Sequence, residues 1–161
     1  MFLLLLRHGI AAPLGGKVTR DEDRPLTTEG ARRFRQVAAA LVRLAPKPRA
    51  ILTSPLLRAR QTAEIAAEGW GDLCPEVLPA LRTGDPRGLR KALGRFSDDD
   101  TVLLVGHEDW ISELAAHLLG GQSGRAFRFR KGGVALIELE SAEATRGTLI
   151  WFIPPRVFRR L

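Results

Sequence analysis

The sequence predicts an α/β fold: a three-layer α/β/α sandwich whose sheet is mainly parallel, with an antiparallel edge near the C-terminus. Three short apolar runs carry this prediction, at Phe2 to Leu6, Ala50 to Thr53 and Thr101 to Val105. Each run precedes a longer amphipathic stretch, and this alternation is typical of βαβ units around a parallel sheet. A length of 161 residues, 45% of them apolar, suits one domain that spans residues 1–161.

Four helices are predicted between and after these strands. In the first, Thr27 or Thr28 is placed as N-cap and Pro46 ends the helix. In the second, Ser54 is a candidate N-cap and Pro55 fits the first helical turn. The third and fourth are predicted over "DPRGLRKALGRF" and "EDWISELAAHLLGG", the latter ending at its glycine pair.

The remaining strands are predicted from weaker patterns. Val77 and Leu78 indicate one short strand between the second and third helices. After Arg125 the pattern changes to "FRFRKGGVALIELE" and "GTLIWFIPP", which alternate or run apolar between turn residues. Such segments favour antiparallel strands at the edge of the sheet.

Composition argues against several partners. The net charge of +7 would favour anions, but the basic residues are dispersed, without a basic run or an aromatic ladder for nucleic acid. No apolar run approaches the roughly 20 residues of a membrane span, and the N-terminal run is too short for a signal peptide. Cys74 is the single cysteine, so no intramolecular disulfide is possible. We therefore expect a cytoplasmic protein with no nucleic-acid or membrane partner.

Chemically active residues follow each of the three main predicted strands. Arg7 and His8 follow the first, Arg58 lies about one helical turn beyond the second, and His107 and Glu108 follow the third. The carboxyl ends of parallel strands face one crevice, and the helices that follow present their N-termini to it. Three distant segments are therefore expected to converge on one site.

The residue types at this site point to phosphate. Arginine matches phosphate oxygens bidentately, and helix N-termini favour anions. A neutral imidazole beside such a clamp can attack phosphorus and form a phosphohistidine that water then hydrolyses. This chemistry requires no metal and no other cofactor.

Four segments carry a family resemblance: "LRHG", "RPLTTEGARR", "SPLLRARQT" and "VGHE". In this order they resemble the signature segments of the histidine phosphatase (phosphoglycerate mutase-like) superfamily, and the length is similar to that of its short SixA-type phosphohistidine phosphatases. The resemblance implies that His8 is the nucleophile and that Arg7 and Arg58 bind the phosphoryl oxygens. It implies that His107, as an imidazolium, stabilises the transition-state charge, and that Arg24 lines the pocket.

The spacing of the segments bears on the substrate. Arg58 and His107 lie 49 positions apart, which leaves little room for the lid-forming insertions of mutases and sugar phosphatases. An open pocket favours a phosphorylated protein, of the histidine phosphotransfer type, over a small phosphate ester. The alternative is a phosphomonoesterase for a small sugar or nucleotide phosphate. Glu108 and Asp85 are both candidates for the general acid that such esters need.

Three residues near these motifs are interpreted as structural. Ser54 is assigned to a helix cap, and Thr62 to a position one turn past Arg58. His117 is placed on the apolar face of its helix, beside Leu114. A noncatalytic anion- or RNA-binding module is a further alternative, but such a module would not need His8 beside an arginine.

Overall fold

The computed structural model describes residues 1–71 and 73–161, and its α/β fold agrees with the sequence-based prediction. Its strands are β1 (Phe2–Arg7), β2 (Ala50–Thr53), β3 (Glu76–Val77), β4 (Thr101–Gly106), β5 (Val134–Leu139) and β6 (Gly147–Ile153). Its α-helices are α1 (Thr28–Leu44), α2 (Leu57–Trp70), α3 (Ala80–Thr83), α4 (Pro86–Leu93), α5 (Glu108–Leu118) and α6 (Pro155–Phe158). Two short 3-10 helices cover Asp21–Asp23 and Gly124–Phe127.

The six strands form one sheet in the order β3-β2-β4-β1-β5-β6. The first four are parallel, whereas β5 runs antiparallel to β1 and β6 antiparallel to β5, as the C-terminal pattern predicts. Thr53 of β2 pairs in register with Val105 of β4, and Arg7 of β1 with Gly106 of β4. The central strands β2, β4 and β1 therefore end level at one edge, and the residues that follow them are brought side by side.

The leucines of β1 explain the three layers. Leu4 and Leu6 belong to the core under α1 and α2, whereas Leu3 and Leu5 belong to the core under α4 and α5. All four are fully buried. Successive side chains of a strand point to opposite faces, so an unbroken apolar run needs cover on both sides. The same run that predicted a buried strand thus also requires two helical layers.

The first helix begins as predicted, with Thr27 as its N-cap. The Thr27 hydroxyl accepts a hydrogen bond from the Gly30 N–H at 2.8 Å, and the Thr27 N–H donates to the Ile10 carbonyl at 2.9 Å. Gly30 makes this approach possible, because a Cβ there would lie 2.2 Å from the Ile10 oxygen. The first turn of α1 is therefore fixed against the loop that follows β1.

The predicted start of the second helix is wrong. That helix begins at Leu57, and Leu56, which has no side-chain cap, precedes it in an extended conformation. Ser54 is therefore not its N-cap, and Pro55 does not lie in its first turn. The physical reason is that Ser54 is bonded into the edge of the sheet: its N–H donates to the Val105 carbonyl at 3.0 Å, so the chain must leave β2 before a helix can start.

The segment "FRFR" is also not a strand. Residues Gly124–Phe127 form a 3-10 helix, and regular β-structure resumes only at Val134. Phe129 is fully buried, and its carbonyl accepts a hydrogen bond from a side chain rather than from a neighbouring strand. In the described part of the chain, no helix is both long and apolar enough to cross a membrane.

Two leucines one turn apart on α1 test this packing. Leu41 is fully buried, whereas Leu44 is 42% exposed. We expect Leu41→Ala to lower the free energy of unfolding by about 2–5 kcal/mol, because it removes buried methyl groups and leaves a cavity. Leu44→Ala, the matched control, should cost less than about 1 kcal/mol. Urea denaturation of both variants measures the difference, and equal losses would contradict the assigned face of α1.

Candidate active site

The level ends of β1, β2 and β4 bring His8, Ser54 and His107 together. The centroids of the two imidazole rings lie 5.2 Å apart. Arg58, near the start of α2, places its Nε 3.3 Å from the Nε2 of His8. The structure therefore brings the candidate site residues of all three segments together, although the contacting residues lie 50 or more positions apart in the sequence.

The contacts of His8 define its protonation state. Its Nδ1 lies 2.7 Å from the Gly9 carbonyl, which can only accept, so Nδ1 carries the proton. Its Nε2 accepts a hydrogen bond from Arg58 Nε. Burial lowers the pKa of His8 to about 3, and the neighbouring His107 and Arg58 act in the same direction. The ring is therefore neutral at pH 7, with its free electron pair on Nε2 and facing a guanidinium.

Backbone contacts hold this ring in place. The Gly9 N–H donates to the Thr62 hydroxyl at 3.0 Å, and that hydroxyl donates to the Arg58 carbonyl at 2.6 Å. Thr62 thus has the structural position predicted for it and ties the His8 loop to α2. From the other side, the Gly132 N–H donates to the Arg7 and His8 carbonyls at 3.0 and 3.1 Å. Gly132 has a φ of +80°, a conformation that favours glycine.

His107 lies in a similar environment. Its Nε2 is 2.7 Å from the Ser54 hydroxyl oxygen. Burial lowers its pKa to about 4, with a further contribution from Arg58. The ring is therefore neutral at pH 7 in this structure, and its role as an imidazolium during the reaction stays a prediction. Ser54, assigned to a helix cap from the sequence, instead contacts the second histidine.

Arg7 is held by two acceptors. Its Nη1 forms an ion pair with the Glu108 carboxylate and donates to the Phe129 carbonyl at 2.6 Å. Burial lowers the pKa of Arg7, and Glu108 partly offsets this effect. Glu108, a candidate general acid from the sequence, is thus the counter-ion of Arg7 here, and its role as an acid stays a prediction.

Asp21 is the residue that the sequence reasoning missed. Its carboxylate accepts from Arg58 Nη2 at 2.9 Å, and its carbonyl accepts from Arg58 Nη1 at 2.7 Å. Arg24 donates to the same carboxylate at 2.9 Å and to the Ala12 carbonyl at 2.6 Å. Hydrogen bonds from Arg24 and Arg58 lower the pKa of Asp21. The acidic run "DED" between two arginines was the available signal. Arg24 contacts this carboxylate, and its role in binding substrate stays a prediction.

Two other predicted positions are accounted for differently. Asp85, the alternative acid, is exposed and is the N-cap of α4, where it accepts from the Arg87 N–H at 2.9 Å. His117 is exposed on α5, so its assignment to an apolar packed face is wrong. In this turn of α5, the buried residues are Ala115 and Ala116 instead.

Two buried nitrogens at this site lack partners. In the part of the chain that the structure describes, Arg7 Nε and His107 Nδ1 are buried without a hydrogen bond. Buried polar groups are normally hydrogen-bonded, so such atoms need an explanation. Arg7 Nε is a donor without an acceptor, so it favours an anion as ligand, as do the guanidiniums of Arg7 and Arg58 beside the unprotonated Nε2 of His8. The site thus combines cationic donors suited to an anion with a neutral imidazole.

Comparison with known proteins gives the family. Residues 3–92 match the histidine phosphatase superfamily (branch 1). The chain belongs to this superfamily, which confirms the resemblance carried by the sequence motifs. A Picosynechococcus protein is 41% identical over 143 residues, covering 83% of this chain and 82% of that protein.

Within the superfamily, the chain is similar to SixA. The phosphohistidine phosphatase SixA of Escherichia coli is 30% identical over 159 residues, which cover 96% of this chain and 94% of that protein. The solved structure of the protein histidine phosphatase SixA complexed with tungstate superposes with a TM-score of 0.84 at 30% identity. That match covers 98% of this chain and 99% of the SixA chain.

The neutral state of His8 predicts a pH dependence of stability. The pKa of His8 is about 3 in the folded protein, against about 6.5 in the unfolded chain. Between these values the unfolded chain binds more protons, so the free energy of unfolding decreases as the pH falls below 6.5. His8 alone should contribute about 2 kcal/mol between pH 7 and pH 5. Urea denaturation should therefore give a smaller pH slope for His8→Gln, and an equal slope would contradict a neutral, buried His8.

The ion pair of Asp21 with Arg58 predicts an effect on anion binding. Asp21→Asn removes a negative charge that competes with an anion for Arg58, so inorganic phosphate should bind several-fold more tightly. Asp23→Asn is the matched control, because Asp23 lies on the same 3-10 helix and pairs with Arg20. Calorimetric titration with phosphate measures both. Weaker binding by Asp21→Asn would mean that Arg58 needs the carboxylate to keep its position.

Proposed function

We propose that this protein is a phosphatase that transfers a phosphoryl group from its substrate to His8 and then to water. The observation that carries the proposal is the neutral His8 ring, with Nδ1 bonded to the Gly9 carbonyl and Nε2 beside Arg58. In the first step, the Nε2 electron pair forms a bond to phosphorus and the bond to the leaving group breaks. In the second, water attacks phosphorus, and the N–P bond breaks to release phosphate and restore His8.

The cations supply the electrostatic part of this mechanism. Arg58 adjoins His8 Nε2, so it can bind phosphoryl oxygens during both steps, and Arg7 offers its unpaired Nε. A bound phosphate dianion would offset the burial and the cationic neighbours that lower the pKa of His107, and would favour its imidazolium form. We therefore expect His107 to act as an imidazolium when phosphate is bound.

We propose a protein phosphohistidine as the substrate. A phosphohistidine whose other ring nitrogen is protonated releases a neutral imidazole and needs no proton at the breaking N–P bond, whereas an alkoxide needs one delivered to its oxygen. Glu108 is already bonded to Arg7, and Asp85 caps α4, so neither acid candidate is free in this structure. The similarity to SixA, whose name specifies phosphohistidine, points the same way.

Three further proposals concern metal dependence, domain organisation and location in the cell. The guanidiniums of Arg7 and Arg58, beside the two histidines, repel a cation. We therefore propose that catalysis needs no metal ion. In the described chain, no group of three His, Cys, Asp or Glu side chains could hold one. We further propose that residues 1–161 act as one domain in the cytoplasm.

A substrate comparison tests the proposal. Wild-type protein should hydrolyse a phosphohistidine peptide with a higher kcat/KM than glycerol phosphate or ribose 5-phosphate, with or without EDTA. His8→Ala should lose all turnover, and rapidly quenched wild-type protein should carry phosphate on His8 by mass spectrometry. His117→Ala, an exposed histidine on α5, is the control. A preference for the small esters would instead favour the phosphomonoesterase alternative, and loss of activity in EDTA would contradict metal independence.

The role of Glu108 is tested with the same substrates. If this residue donates a proton to the leaving group, Glu108→Gln should reduce kcat at least tenfold more on glycerol phosphate than on phosphohistidine. Asp109→Asn controls for the loss of a negative charge near Arg7. Equal losses on both substrates would show that Glu108 acts only by positioning Arg7.

A further inference from the structure

A basic segment lies directly beside the candidate site. We call residues 125–131, with the sequence RAFRFRK, the basic strap. Its aromatic residues turn inward, since Phe129 is fully buried and Phe127 packs against the core under α4 and α5. Its four basic residues all face solvent: Arg125, Arg128, Arg130 and Lys131.

The strap is fixed to the fold at both ends and in the middle. The Gly124 N–H donates to the Glu113 carboxylate at 3.0 Å, before the strap begins. Phe129 packs against Phe152 with ring centroids 4.6 Å apart. The Gly133 N–H donates to the Arg130 carbonyl at 2.7 Å. The basic side chains are therefore presented from an anchored backbone.

The same backbone contacts the residues of the site. The Phe129 carbonyl accepts a hydrogen bond from Arg7 Nη1 at 2.6 Å. Gly132, the residue after the strap, donates to the Arg7 and His8 carbonyls, and Arg128 lies close enough to Arg7 to contribute, alongside burial, to the lowering of its pKa. The strap thus forms one rim of the site.

The other rim differs in charge balance. The loop that reaches the site from the α2 side contains Arg20 and Arg24, which pair with Asp23 and Asp21, and Arg82 pairs with Glu22. By contrast, no carboxylate among residues 1–71 and 73–161 forms an ion pair with the strap. All four cations of the strap are therefore without an ion pair, whereas among residues 12–24 of the other loop Lys17 is the one cation that forms none.

We propose that the basic strap is the docking surface for acidic side chains around the phosphorylated histidine of a protein substrate. The proposal rests on the function proposed above and assigns the partner's charge. Solvated, unpaired arginines attract an acidic surface at long range and set its orientation. RNA is disfavoured as the occupant, because both phenylalanines point inward and leave no exposed aromatic ring for a base to stack on.

Synthetic peptides provide the test. Three nine-residue peptides carry one central phosphohistidine and differ only in flanking residues, which are glutamate, glutamine or lysine. At low salt, wild-type kcat/KM should fall about tenfold from the glutamate to the glutamine peptide and again to the lysine peptide. A higher salt concentration should reduce the differences in kcat/KM between the three peptides. The double variant Arg128→Gln/Arg130→Gln should reduce the glutamate preference at least fivefold, mainly through KM.

The control variant removes the same charge elsewhere. Lys47→Gln/Arg49→Gln alters exposed residues just before β2, at the opposite end of the parallel strands, and should keep the wild-type order. If the wild-type protein hydrolyses all three peptides alike, or the strap variant keeps the full preference, the docking proposal is wrong and the phosphatase proposal stands. If no phosphohistidine peptide is hydrolysed, the phosphatase proposal itself fails. Inhibition by a 20-nucleotide RNA that disappears in the strap variant would assign the strap to nucleic acid instead.

Discussion

The hydrogen bond between His8 Nδ1 and the Gly9 carbonyl is the constraint on which the rest of the site depends. A carbonyl accepts but cannot donate, so this contact fixes the tautomer and leaves the electron pair on Nε2. Burial then keeps the ring uncharged by lowering its pKa to about 3. Thr62 and Gly132 brace the backbone of this loop from opposite sides, and the ring itself cannot turn without breaking its bonds to the Gly9 carbonyl and Arg58.

Each guanidinium beside this ring has a carboxylate partner. Arg7 is balanced by Glu108, and Arg58 by Asp21, a carboxylate that it shares with Arg24. A buried guanidinium without a counter-ion is costly, which explains why carboxylates occur in a site suited to anions. Both carboxylates are more exposed than the guanidiniums they balance. Asp21 in particular is half exposed, so an anion that displaces it from Arg58 leaves the Asp21 carboxylate in contact with water.

The sequence allowed much of this arrangement to be predicted. The apolar run of β1 required cover on both faces, and the residues after three such runs had to meet at one sheet edge, which brought together His8, Arg58 and His107. The sequence did not reveal Asp21, because an acidic run in a loop has no periodicity. It also misassigned Ser54, because a serine before a proline and an apolar run looks like a helix cap, whereas the edge hydrogen bond to Val105 holds it in extended structure.

By itself, the sequence determined the layers, the strand ends and the family to which the chain belongs, since these depend on local periodicity and on short motifs. Tertiary structure decided the partners of each functional group. Asp21 reaches Arg58 across 37 positions, and the Phe129 carbonyl reaches Arg7 across 122. It also decided which cations stay unpaired, because ion pairing depends on distances between loops. Burial, and with it the neutral state of His8 and His107, likewise arises only when the loops and helices pack around the strand ends.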